Sequence, residues 1–393
     1  MKRILSIFMV CMLILSGCGS EEVPKTKQEV TIEEKKVRYK VDELSLPDPL
    51  LAENAQGSDY IGDDFSGFTA DVNGKPAVYY SDFTKEDDVY QASITRCSMD
   101  EKKNWDSEEL CENSLSDFMD QKFEQTGWVR CYLSQFRRGD NGSLYGIFFY
   151  FVKEDVESEE GKKEMLAEKY SVLEIDEEND RIYEIPLEIG PAPRDENDFG
   201  KDVDIEWLSD YHAFEDGSIL LLSSDNGGGT GYLIDSESGQ VSEELGNVVT
   251  GKRRFVFGEN EIIFFSNKTN LFQVVSLPDV TELNTFGSKL SEDVMNKDWF
   301  FYMNPDTWEL FMCNRSGVYK AANYQSSDDV EWLTEKTDMS EVENGSADIL
   351  DFFVGAEDDF YICMMETTEE YGVKTRQYRI VYYSKEEESP EEK

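Results

Sequence analysis

Cys18 is the residue whose neighbours best define its chemistry. It follows Leu15, Ser16 and Gly17 at the end of an apolar stretch, Ile4 to Leu15, that begins after Lys2 and Arg3. A thiolate there is a nucleophile open to covalent modification, and the small residues before it suit a cut between Gly17 and Cys18. The stretch is too short to span a bilayer stably, and it has the basic start and small residues of a signal peptide. Other reactive types are less ordered in the chain. The single histidine, His212, lies between Tyr211 and Ala213 and near no G-x-S-x-G, so no Ser-His-Asp set is readable. One histidine also cannot assemble an ordinary His/Cys zinc site. Glycosidase chemistry needs two carboxylates at a set separation, and 84 acidic residues leave no pair distinguishable.

Calcium is the cofactor most compatible with an acidic exported domain, because it takes six to eight oxygen ligands from carboxylates and carbonyls. The candidate ligands are Asp198, Asp202 and Asp204, with the turn Asp176 to Asp180 and the Asp225-Asn226 pair before Gly227 as further sites. Each also reads as a hairpin turn or a solvated loop, and there is no twelve-residue EF-hand loop. The Gly-rich segment Asn226 to Gly231 lacks the Lys-Ser/Thr of a phosphate loop. Among the aromatics, Trp128, Trp207, Trp299, Trp308 and Trp332 recur along the chain and suit packing between repeated units. Trp308 and Trp332, beside Asp306 and Glu331, are the pair expected to be exposed and to stack on a ligand.

The chain carries 38 basic and 84 acidic residues, a formal charge of −46; loss of Lys2 and Arg3 leaves 36 against 84, or −48. Such a surface repels nucleic acid and anionic head groups, so nucleic acid is excluded as a partner. With 24 Phe, 20 Tyr and 6 Trp the chain nonetheless has the material for a packed core. Once Cys11 leaves with the signal and Cys18 is acylated, Cys97, Cys111, Cys131, Cys313 and Cys363 remain. Five is odd, so a full disulfide framework is not expected, and Cys97 with Cys111 is the nearest local bridge.

The elements that must position any site repeat. Six times a polar turn precedes four to six apolar or aromatic residues, with Tyr80, Tyr145, Ile219, Ile262, Phe300 and Phe360 as equivalent positions. A more alternating run follows each, as in Val89 to Ile94, Tyr170 to Ile175 and Tyr378 to Tyr383, and the two form a hairpin. The shorter intervals match a four-stranded blade of about 40 to 50 residues. Longer ones hold insertions, an acidic helical-looking stretch from Lys153 to Lys169 and the Glu/Asp/Ser-rich Asp100 to Gln125. The expected fold is all-β: a β-propeller of six blades, with seven as the variant and a pair of β-sandwiches as the competing architecture. Val37 to Val41 paired with Tyr378 to Tyr383 would close the ring.

Two resemblances follow. Residues 1–18 resemble the bacterial lipoproteins, whose signal ends in Gly-Cys or Ala-Cys; this implies a diacylglyceryl Cys18, a membrane anchor without a span, and a body on the extracytoplasmic face of the cell membrane. Two acyl chains on one residue are sufficient for stable anchoring. The segment Gly231-Tyr232-Leu233-Ile234-Asp235-Ser236-Glu237-Ser238-Gly239-Gln240-Val241 resembles a repeat of quinoprotein-type propellers, but the Trp that usually follows is absent, so neither cofactor nor assembly role carries over. The arrangement as a whole resembles propeller-like regions of large solute-binding lipoproteins of anaerobic Gram-positive bacteria, which implies ligand sensing.

The chain thus divides into a signal peptide (residues 1–17), a lipidated N-terminus and tether (18–50), a propeller-like domain (51–383) and an acidic tail (384–393). The reading is a non-enzymatic module that binds a small ligand, glycan or protein. The alternatives are a carbohydrate-active hydrolase or lyase using loop carboxylates, and a scaffold for envelope assembly.

Overall fold

The computed structural model describes residues 39–47, 67–86, 89–158, 161–187, 207–225, 228–235, 238–249, 255–266, 268–334, 337, 345–355, 358–370 and 373–386. Cys18 and Asp198, Asp202 and Asp204 lie outside these residues. No helix among the described residues is long and apolar enough to cross a membrane.

The chain begins its described course with β1 (Tyr39–Leu44) and then lays down strands in groups of four. The first blade is β2 (Phe68–Ala70), β3 (Pro76–Glu86), β4 (Val89–Met99) and β5 (Trp105–Leu110). The second is β6 (Arg130–Arg138), β7 (Leu144–Ser158), β8 (Gly161–Asp176) and β9 (Arg181–Leu187). The third is β10 (Trp207–Ala213), β11 (Ile219–Asp225), β12 (Gly228–Ile234) and β13 (Val241–Val249). The fourth is β14 (Phe255–Gly258), β15 (Glu261–Ser266), β16 (Leu271–Ser276) and β17 (Glu282–Phe286). The fifth is β18 (Phe300–Met303), β19 (Leu310–Asn314), β20 (Gly317–Ala321) and β21 (Glu331–Thr334). β22 (Gly345–Val354), β23 (Phe360–Glu370) and β24 (Val373–Lys385) make three strands of the sixth, and β1 adds the fourth.

Every neighbouring pair is antiparallel, and the six sheets form a six-bladed β-propeller. The burial pattern explains why the sequence repeats as it does. The second strand of a blade is covered on both faces by adjoining blades, so β15 and β19 are buried along their whole length and read as unbroken apolar runs. Outer strands such as β5 and β21 are largely exposed or half-buried. The ring closes as the sequence suggests: β1 pairs with β24, Val41 opposite Tyr383 and Tyr39 opposite Lys385. Tyr39 then packs its ring on Phe360, 5.1 Å between centroids, and edge-on to Tyr383.

The structure corrects three expectations. Trp299 to Met303 is not the second strand of its blade: Phe300 to Met303 is the inner strand β18, and β19 takes the equivalent place. With Phe311 in place of Phe300, the steps from Ile262 and to Phe360 both become 49 residues by their numbering, which removes an irregularity of the sequence reading. The stretch Lys153 to Lys169 is no helix. It belongs to the long β7–β8 hairpin, where Lys153–Glu164 at 2.7 Å and Lys169–Glu154 at 2.9 Å are cross-strand ion pairs. The insertion after Asp100 holds β5 and the helix α1 (Glu112–Thr126), which ends at Gly127 in a left-handed turn and buries Leu115 and Met119 against the first two blades.

Cys97 and Cys111 are not bridged; they, Cys131, Cys313 and Cys363 are free thiols. Cys97 faces Ser107 in the β4–β5 register, and Cys111 lies four residues further along. At a rise of about 3.3 Å per residue the two are roughly 13 Å apart, beyond the reach of a disulfide.

An ion-pair cluster locks the first blade to the second. The Glu177 carboxylate, 6% exposed, accepts from Arg96 Nη1 at 3.1 Å, from Arg138 Nη1 at 2.8 Å and from the Tyr79 hydroxyl at 3.1 Å. Arg138 also donates to the carbonyls of Ala70 and Gly142, each at 3.0 Å, and to the Tyr79 hydroxyl at 2.8 Å. Burial, the largest influence, lifts the Tyr79 phenol well above its ordinary range, and the Arg138 charge opposes this.

Candidate functional site

The turns between the first and second strands of all six blades lie on one face of the ring, and each carries a carboxylate: Asp71, Asp140, Asp216, Glu259, Asp306 and Asp358. Local sequence dictates these turns. In Phe214-Glu215-Asp216-Gly217-Ser218, the Phe214 amide donates to the Ser218 carbonyl at 2.9 Å and Gly217 sits at φ 83°. Asp216 Oδ1 accepts from the Ser218 amide at 2.9 Å and from its hydroxyl at 2.6 Å. Those hydrogen bonds hold the Asp216 carboxyl below its usual range, so it stays charged to lower pH.

A cavity of about 860 Å³ opens on this face between the third and fourth blades. Leu220, Leu233 and Leu245 form one wall from β11, β12 and β13, and Leu277 with Pro278 forms the other. Beneath it lies the core shared by these blades, which includes Phe255, Phe257 and Ile262. The mouth carries Asp140, Glu215, Asp216 and Glu259, and Trp308 stands at the side nearest the fifth blade. Among the described residues no Lys or Arg lines the cavity. Its residues come from four blades, so no stretch of sequence signals it.

His212 belongs to this region. It projects from β10, stacks on Phe257 at 4.5 Å and 14° between planes, and its Nε2 is 2.9 Å from Asp140 Oδ2. The Asp140 amide donates to the Ala213 carbonyl at 2.9 Å, so the turn of the second blade is fastened to the third. His212 and Asp140 are thus two parts of a triad without the third: among the described residues no hydroxyl or thiol is hydrogen-bonded to the imidazole. The pair orients a carboxylate at the cavity mouth.

The structure separates the two expected tryptophans. Trp308 lies in the turn between β18 and β19 at φ 53° and lines the cavity. Trp332 sits on the outer strand β21, 50% exposed, stacked on Tyr319 at 5.5 Å and 22°. Trp128 and Trp299 are buried, the first against Tyr90 at 4.7 Å and the second against Phe272 at 4.8 Å. Of the calcium candidates, Asp176 closes its own turn by accepting from the Asn179 amide and side chain. Among the described residues no group of three or more His, Cys, Asp or Glu side chains is placed to hold a metal ion. Nearer the axis, Arg137 on β6 pairs with Asp210 on β10 at 2.9 Å; burial raises the Asp210 carboxyl and the guanidinium opposes that rise.

No family model and no curated protein matches the chain. Solved structures do resemble it in architecture. The WD40 β-propeller domain of Doa1 is 12% identical, with 89% of this chain and 98% of that one aligned at a TM-score of 0.40. The Dos1 propeller is 10% identical over 81% of this chain and 68% of its own, at 0.35. Sqt1 from Chaetomium thermophilum is 10% identical over 78% and 82%, at 0.35. At these values the likeness carries no argument about this chain, whose propeller is read from its own six four-stranded sheets.

Proposed function

We propose that this protein is an extracytoplasmic lipoprotein, held to the cell membrane by a diacylglyceryl group on Cys18, whose acidic propeller binds a ligand or partner. The observation that carries the binding reading is the cavity between the third and fourth blades. It is concave, lined by apolar and polar groups in near-equal measure, and of the size that holds a small molecule. His212, beside the cavity, is hydrogen-bonded to Asp140, and among the described residues no hydroxyl or thiol is hydrogen-bonded to it, which disfavours a Ser-His-Asp type of hydrolysis. The anchoring reading is supported by the sequence before and at Cys18.

Two measurements test this. Intact mass of the mature protein should show a chain beginning at Cys18 with a thioether-linked lipid, and Cys18→Ser should move the protein out of the membrane fraction. A bare thiol, or a protein recovered from the cytosol, refutes the anchor. A screen of glycans for release of reducing ends should show no turnover; turnover abolished by single Asp or Glu substitutions at the cavity mouth would replace the binding reading with the hydrolase or lyase alternative.

A further inference from the structure

We infer that the cavity between the third and fourth blades takes a small organic cation, an ammonium or guanidinium group borne on an apolar body. This rests on the reading of the propeller as a binding module and names the chemistry of its ligand. The two halves of such a molecule meet two different surfaces. The apolar body fits against Leu233, Leu277 and Pro278, the apolar lining side chains that remain partly exposed, where burial of hydrocarbon is favourable in proportion to area. The charged head meets the mouth.

The mouth is not merely acidic. Asp140 and Asp216 are engaged, the first by His212 and the second by Ser218, and so are fixed in place. Among the described residues Glu215 and Glu259 make no ion pair, and no lysine or arginine lines the cavity to neutralise them. These two glutamates stand on the turns between the first and second strands of adjoining blades, the third and the fourth. Trp308 lines the same cavity and adds an aromatic surface to it, and cations are attracted to an indole face. The cavity's volume of about 860 Å³ lies within the range of small-molecule sites. An anion would enter against the field of the whole molecule as well as that of the mouth, and a neutral ligand would gain nothing from the exposed carboxylates' charge.

The test uses three probes of nearly one shape: 2-phenylethylammonium, 2-phenylethanol and phenylacetate, titrated into the purified protein by ligand-observed NMR at pH 7. The ammonium should bind at least tenfold more tightly than the alcohol, and phenylacetate should not bind. Raising the salt from about 50 to 500 mM should weaken the ammonium several-fold, as screening of a partly exposed site requires. The double variant E215Q/E259Q should lower its affinity about tenfold with the unfolding midpoint unchanged, whereas E157Q/E178Q, which removes two exposed charges elsewhere, should leave affinity as it was. Equal loss in both double variants would mean general attraction to an acidic surface and overturns the site. Equal or tighter binding of the alcohol or the acid at the cavity overturns the cation while leaving the binding reading in place. No binding of the ammonium at 10 mM overturns the inference outright, as does binding of a Lys-containing tripeptide with Leu on either side when the free amine does not bind.

Discussion

Replacement of Glu177 by Gln keeps the shape of the side chain and removes the charge that joins the first two blades. The carboxylate receives three hydrogen bonds, two of them from guanidinium groups, at 2.8 to 3.1 Å. Breaking a buried ion pair by removing one partner costs about 3–5 kcal/mol. Here the loss is smaller. Arg96 keeps its contact with Glu108 at 2.5 Å, Arg138 keeps the carbonyls of Ala70 and Gly142, and the two arginines are 16% and 15% exposed. A glutamine oxygen can also still accept from Tyr79. The expected cost is therefore about 2–3 kcal/mol, or roughly 30- to 150-fold in the unfolding equilibrium. Urea titration followed by tryptophan fluorescence measures it, with Arg138→Met and the double variant completing a cycle. The double variant should be less destabilised than the sum of the singles, because it leaves no partner facing an empty place. A cost for Glu177→Gln below about 0.5 kcal/mol, or additive singles, would refute the claim that this cluster ties the blades together.

Three further expectations concern stability. Burial pushes the Cys111 thiol up to about 11 and Cys131 up to about 12, raises Cys313 and Cys363 well above the ordinary 9.0, and lifts the phenols of Tyr79 and Tyr302. The unfolded chain loses these protons first, so stability should be full below about pH 8.5 and fall as pH rises through 9 to 12, and a flat profile there in denaturant titrations would contradict the burial. In Gly317→Ala, the new Cβ would collide with the Thr334 carbonyl and the Trp332 indole, so the variant should lose about 1–3 kcal/mol and Trp332 emission should shift to the red; an unchanged spectrum would show that β20 and β21 are not so closely paired. Tyr39→Ala removes the ring packed on Phe360 and Tyr383, and should cost about 1–3 kcal/mol by the same titration; a cost below about 0.5 kcal/mol would show that β1 does not hold the ring closed.

The repeat of turn and apolar run was legible because the second strand of each blade is covered on both faces and must be apolar throughout, as in Ile262 to Phe265. The same rule misled at Trp299 to Met303, where a buried Trp299 and an inner strand of four residues imitate a second strand. Lys153 to Lys169 reads as helical because its acids and bases alternate at short spacing, and the hairpin satisfies that spacing by pairing across strands. Closure through residues near Val41 was legible from alternation in the sequence. The cavity was not. Asp140, Phe214, Glu259 and Trp308 are brought together only by the pitch of the ring. Trp308 was singled out for its type and its acidic neighbour, and the same reasoning chose Trp332, which lies on the outer strand β21 and not in a turn.

The six-residue seam between Tyr39–Leu44 and Ile380–Lys385 has a mechanical meaning. Its amino-terminal end meets Lys385, whose amide donates to Asp359, so the chain enters the ring on the face that carries the acidic turns. If residues preceding Tyr39 are fastened and the body is pulled away, the load runs along β1 and shears its ladder with β24. Parallel loading makes those hydrogen bonds yield together, not one after another as in unzipping. The strand that shuts the circle would then double as its mooring, and rupture at this seam would open the ring in the same event that sets it adrift.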